Sequence, residues 1–119
     1  MEKERKKIAI LFGGCSTEYE VSLQSAYSVI EHLDTEKYEP VLIGLERTTG
    51  KWYLYRGESD RIPEDKWLDQ ECVPVYPSTD RFVHGICYPE GNVLRIISLD
   101  AALPVLHGKN GEDGTVQGI

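Results

Sequence analysis

Cysteine is scarce in this 119-residue chain, and its pattern excludes more than its count does. Only Cys15, Cys72 and Cys87 are present. An odd number, with no two at a CxxC spacing, builds neither a disulfide framework nor a structural zinc site. The compartment expected from this usage is reducing and cytoplasmic. Long apolar runs are missing too: nothing approaches the roughly 18 consecutive apolar residues of a membrane span, so no membrane partner is expected. The charged start from Glu2 to Lys7 precedes apolar Ile8 to Phe12, as in a secretory signal. That apolar run is shorter than the roughly 7–15 residues such a segment needs. Positive charge is in deficit, with 13 Lys and Arg against 20 Asp and Glu and a net charge of −7. Such a field repels phosphate backbones, so no nucleic-acid partner is expected.

What is there reads as one globular domain. Hydrophobic residues make up 40% and charged residues 28%, too apolar a mixture for a disordered chain. A chain of this length buries roughly 65% of its unfolded surface and supports a single core.

Ile8-Ala9-Ile10-Leu11-Phe12 is a continuous apolar run between Lys7 and Gly13-Gly14. Strands buried on both faces of a parallel sheet have this composition. Thr17-Glu18-Tyr19-Glu20 fits a capping box, with Thr17 as N-cap and Glu20 at N3. Ala26, Val29, Ile30 and Leu33 then recur at helical spacing, which predicts a helix over 20–33 with one face on an apolar neighbour. Val41 to Leu45 is a second buried strand, so the first third of the chain is a right-handed βαβ unit. Residues 46–98 break the alternation with Trp52 to Tyr55, proline-extended Val73 to Pro77, and two strands, 81–86 and 93–97, joined by the turn 89–92. A small antiparallel excursion is expected there. Ala101 to Leu106 resumes the buried pattern, with the strand ending at Pro104-Val105. The expected fold class is α/β: a three-layer, Rossmann-like domain whose strands 7–12, 38–45 and 101–105 are parallel neighbours, the first of them central. Thr115 to Ile119 reads as the first turn of a helix, too short to stand alone. The chain is therefore expected to be part of a longer protein.

Two glycine-rich loops follow buried strands: Gly13-Gly14-Cys15-Ser16-Thr17-Glu18, and His107 to Gly114. In an open parallel sheet ligands gather beyond the carboxyl ends of the strands, and helix N-termini there favour anions. Neither loop is a standard nucleotide fingerprint: the first lacks the third glycine of GxGxxG, and Gly108-Lys109 is followed by Asn110 rather than Ser or Thr. On spacing alone each loop is equally well explained as turn glycines, Glu18 as an acid complementing the helix dipole, and His107 as a cap on a loop carbonyl. A metal site is conceivable from His107, Glu112 and Asp113, but one His and two acids in a loop are weak evidence for it. His32 and His84 read as surface or packing residues.

The two loops together say more. Gly13 to Ser22 has the form GGxSxExEVS, and His107 to Gly118 the form HGxxGEDGxxQG. In combination they closely resemble the D-alanine–D-alanine ligase family, over Lys7 to Ile119. The aromatic excursion is similar to the branch that includes vancomycin-resistance ligases, which join D-alanine to D-serine or D-lactate. The resemblance implies an ATP-grasp enzyme of which 1–119 is the N-terminal, pre-ATP-grasp domain. ATP, with Mg2+ or Mn2+, would activate the carboxylate of a first D-alanine, and a second D-alanine, D-serine or D-lactate would attack it, in peptidoglycan synthesis. The ATP-grasp domains and metal ligands would lie beyond Ile119, so no cofactor or metal ligand is expected here and the 119 residues alone would be inactive. Family members are commonly homodimers. By resemblance Glu18 holds the ammonium of the first D-alanine, Val21 lines its site, Gly13 and Gly14 let the backbone come close, and His107 sits near the reacting groups and positions the second substrate. Cys15 receives no role, and Glu112 and Asp113 shape the loop. The competing readings are a standalone Rossmann-like ligand-binding module and an adaptor that uses the excursion as a partner surface.

Overall fold

A computed structural model describes residues 5–15, 17–68, 72–77 and 85–105. Strand β1 (Lys6–Gly13) is followed by helix α1 (Tyr19–His32), then β2 (Tyr38–Leu45) and β3 (Trp52–Tyr55). A single 3-10 turn at Ser59–Arg61 precedes β4 (Cys72–Pro74), β5 (Tyr76–Pro77), β6 (Gly85–Glu90), β7 (Val93–Ser98) and β8 (Ala101–Val105). The main sheet has the order β4-β3-β2-β1-β8. β1 is parallel to β2, with Ile8 opposite Pro40, and parallel to β8, with Ile8 opposite Ala101. The three expected parallel neighbours are thus present with β1 between the other two.

β1 is apolar from Ile8 to Phe12, and from Ala9 onward both its faces are covered. Ile10 and Phe12 point toward α1 and join Leu23, Ala26 and Trp67, while Ala9 and Leu11 point the other way, toward Ile86, Tyr88 and Leu99. Full burial of side chains of this size contributes about 1.5–3 kcal/mol each. β2 alternates in the same sense, with Val41, Ile43 and Leu45 on the second face.

Several expectations are corrected. The antiparallel excursion is present, but part of it joins the main sheet: β3 and β4 extend that sheet antiparallel, so it is mixed. The remaining strands form a second sheet, β5-β6-β7, which supplies the third layer opposite α1. β8 is an edge strand among the described residues, and Leu103 stays 42% exposed, so its apolar run is less buried than its composition predicts. Pro104 fits there because an edge strand leaves one row of N–H positions unpaired. The hairpin turn narrows to Gly91-Asn92, with Gly91 at φ 62°. Helix α1 begins one residue earlier than expected and buries Tyr19, Ser22 and Leu23 besides Ala26. Residues 81–84, His84 among them, and the helix expected from Thr115 lie outside the described residues.

Candidate functional site

At the carboxyl end of β1 the chain turns through Gly13 at φ 88° and Gly14 at φ 98°. Both angles lie where a side chain is strained. At Gly13 a Cβ would also stand 2.6 Å from the Leu45 carbonyl oxygen and 3.2 Å from Cε1 of Tyr19. The turn is pinned to β2 by the Gly14 N–H, which donates to the Leu45 carbonyl at 2.9 Å. The Gly13 N–H donates to Ser22 Oγ at 2.8 Å, and that buried hydroxyl in turn donates to the Val105 carbonyl. One serine thereby joins the ends of β1 and β8 to the second turn of α1. The strand from which His107 follows is locked to the glycine turn through it.

Glu18 is exposed and occupies the N-cap position of α1, with φ −95° and ψ 20°. Its carbonyl accepts the first helical bond, from the Ser22 N–H at 3.0 Å, and its side chain makes no capping bond. The expected capping box is therefore not formed. With Glu18 rather than Thr17 at the cap, Glu20 falls at the second helical position, too early to reach back to the cap N–H. Instead its Oε1 lies 3.9 Å from Nη1 of Arg47, both side chains being well exposed. Val21 is 46% exposed in the same turn. Gly13, Gly14, Glu18 and Val21 are thus brought to one end of the sheet. His107, Glu112 and Asp113 lie outside the described residues. Cys15 is exposed, with its Sγ 3.8 Å from the Glu46 carbonyl. His32 has the plain role expected of it, its Nδ1 lying 2.7 Å from the Ser28 carbonyl oxygen.

Next to Glu18 stands a group that sequence reasoning did not single out. The buried Tyr19 hydroxyl donates to Oδ1 of Asp65 at 2.6 Å and accepts from Nε1 of Trp67 at 2.9 Å. Burial first, and then the Asp65 carboxylate, push the Tyr19 phenol far above its ordinary value, so it stays a donor. The Arg47 guanidinium lies over its ring, 4.9 Å from the centroid. Trp67 is fully buried and meets Phe12 edge-on at 5.1 Å. Ser22 had a signal in the sequence, since it lies four residues before Ala26 on the apolar face of the helix. Asp65 and Trp67 had none, because they lie in a loop without periodicity.

Chemically, this end of the sheet offers a carboxylate beside a helix start whose first N–H groups have no intrahelical partner. That pairing suits a zwitterion, with an ammonium for Glu18 and a carboxylate for the N–H groups. Fold and site define an α/β domain that presents a glycine turn, a helix start and an exposed carboxylate at the carboxyl end of its central strand.

Residues 7–119 match the family model described as "D-ala D-ala ligase N-terminus". A D-alanine–D-alanine ligase of Thermoanaerobacter sp. (strain X514) is 46% identical over 98% of this chain and 32% of its own length. The vancomycin C-type resistance protein VanC1 of Enterococcus gallinarum is 45% identical over 96% of the chain and 31% of its own length. Among solved structures, the VanG D-Ala:D-Ser ligase of Enterococcus faecalis superposes with a TM-score of 0.88 at 49% identity, over 97% of this chain and 33% of that one. The chain belongs to the D-alanine–D-alanine ligase family, in its N-terminal domain. It spans about a third of the length of the relatives it matches.

Proposed function

We propose that residues 1–119 are the substrate-holding N-terminal domain of an ATP-dependent ligase that joins D-alanine to a second D-alanine, to D-serine or to D-lactate. The observation that carries this reading is the juxtaposition of the Gly13-Gly14 turn, the start of α1 and exposed Glu18 at the end of the central strand. Membership of the family supports it over a standalone binding module. In such a reaction ATP and a divalent metal, Mg2+ or Mn2+, supply an activated carboxylate on the first substrate. Among the described residues no three side chains of the metal-ligating types gather. In this reading ATP and the metal are both held by other parts of a full-length ligase, since the chain spans only about a third of the relatives it matches.

The chain's own residues bind and orient. Glu18 accepts charge-assisted hydrogen bonds from the ammonium of the first D-alanine, which keeps that amine protonated and unreactive. The side-chain-free backbone at Gly13 and Gly14 lets the substrate come close. Val21 offers an apolar contact for its methyl group. His107 positions the second substrate, whose amine or hydroxyl attacks the activated carbonyl and releases phosphate. The product enters peptidoglycan synthesis, and a cytoplasmic homodimer completes the proposal. No helix of the described residues is long and apolar enough to cross a membrane.

The test is phosphate release by the full-length protein with ATP and D-alanine, alone and with D-serine or D-lactate, in wild type and in Glu18→Gln. Gln keeps the shape and loses the charge, so the KM for the first D-alanine should rise by roughly ten- to a hundredfold, matching the ~1.5–3 kcal/mol of a charged hydrogen bond. An unchanged KM would return Glu18 to a helix-dipole role.

A further inference from the structure

We propose that Tyr19 is a positioning residue for Glu18, held in place by a clamp of Asp65 and Trp67 that reaches across from the segment before β4. This inference rests on the ammonium-binding reading of Glu18 and assigns what keeps that carboxylate in place.

Glu18, at the N-cap position of α1, makes no side-chain capping hydrogen bond, so the usual device that fixes an N-terminal turn is not used at that residue. Tyr19, the next residue after Glu18, takes its place. Its hydroxyl is held from two sides, by Asp65 Oδ1 at 2.6 Å and Trp67 Nε1 at 2.9 Å. Its ring fills the space that a Cβ on Gly13 would invade. The glycine turn thus abuts the ring of the residue that directly follows Glu18.

The clamp is itself anchored. Trp67 is wedged against Phe12 of the central strand and against Gly44 of β2. Asp65 sits at φ 58°, alone among the described non-glycine residues in having a positive φ. Aspartate and asparagine tolerate that conformation better than other side chains, at an energetic penalty that the surroundings must offset. The turn that creates it is closed by the Asp65 N–H to the Ile62 carbonyl and the Lys66 N–H to the Arg61 carbonyl, both at 3.0 Å. Gln24 ties the same segment to α1 through the Pro63 carbonyl at 2.9 Å. A purely packing role needs only the ring of Tyr19. The strained Asp65 and the indole N–H address only its hydroxyl.

The experiment uses the full-length protein with initial rates of phosphate release, the second substrate and ATP being saturating in turn. Tyr19→Phe and Asp65→Gly remove one partner each, the latter while easing the backbone. Both should raise the KM for the first D-alanine about three- to tenfold and leave the KM for ATP unchanged. Asp65→Asn keeps an oxygen acceptor and a tolerant backbone, and should stay within about twofold of wild type. In the Glu18→Gln background, Tyr19→Phe should add nothing further to KM, because its effect passes through Glu18. If Tyr19→Phe lowers the melting temperature but leaves the KM for D-alanine at the wild-type value while Glu18→Gln raises it, the clamp is structural only and the inference fails alone. Multiplicative effects in the double variant would equally overturn it. A Glu18→Gln enzyme with unchanged KM would remove the ammonium role, and the clamp's function with it.

Discussion

Ser22→Ala should lower the stability of the domain by about 2 kcal/mol, far more than its single lost oxygen suggests. The hydroxyl is fully buried and serves two backbone groups at once, accepting from the Gly13 N–H at 2.8 Å and donating to the Val105 carbonyl. Removing it orphans a buried N–H, at about 1–3 kcal/mol. The Val105 carbonyl is half-buried, so water recovers part of its loss. Alanine returns about 0.5 kcal/mol through its better helix propensity. The net should appear in urea unfolding of the 119-residue chain as a midpoint about 1 M lower at an unchanged slope. In a thermal scan it should appear as a fall of roughly 8 °C. Amide hydrogen exchange adds an internal control. Protection of the Gly13 amide should collapse, whereas the Gly14 amide, bonded to the Leu45 carbonyl at 2.9 Å, should change only with global stability. A loss below about 0.5 kcal/mol, with Gly13 still protected, would refute the view that this serine joins β1, α1 and β8.

Gly44→Ala should destabilise by about 3 kcal/mol or more, because its Cβ would lie 2.4 Å from Cζ3 of Trp67, a fully buried ring held by its own hydrogen bond. Adding Trp67→Phe should then be less than additive in chemical denaturation. Stability should fall as pH rises above about 10, where the unfolded Tyr19 phenol ionises while the folded one keeps its proton, and Tyr19→Phe should flatten that part of the profile. Below that pH the Tyr19 contribution is fully present. Glu20→Gln should change the unfolding free energy by less than about 0.5 kcal/mol, since its carboxylate is exposed and only 3.9 Å from Arg47 rather than bonded to the helix start. A larger loss would restore the capping box.

The parallel core was legible in the sequence because it is local chemistry repeated at a fixed period. Ile8 to Phe12 carries no polar residue, and only a strand covered on both faces asks for that. The helix could be read from Ala26, Val29, Ile30 and Leu33 for the same reason. Gly13 and Gly14 were recognisable as turn residues, and their positive φ angles bear that out. The motif containing Glu18 and Val21, taken together with the one from His107 to Gly118, named the family without any coordinates. Tertiary structure decided the rest. Whether Thr17 or Glu18 caps α1 depends on where Tyr19 docks, and Tyr19 docks on Asp65 and Trp67, 46 and 48 positions downstream. No local pattern marks Trp67 as core, since its burial follows from a glycine at position 44 that leaves room for its ring. The second sheet closes over Ala9 and Leu11 because β6 alternates Ile86 and Tyr88 inward, yet its hairpin sequence reads the same whether it packs there or stands free. Periodicity reports which face of an element is covered, and only the folded chain supplies what covers it.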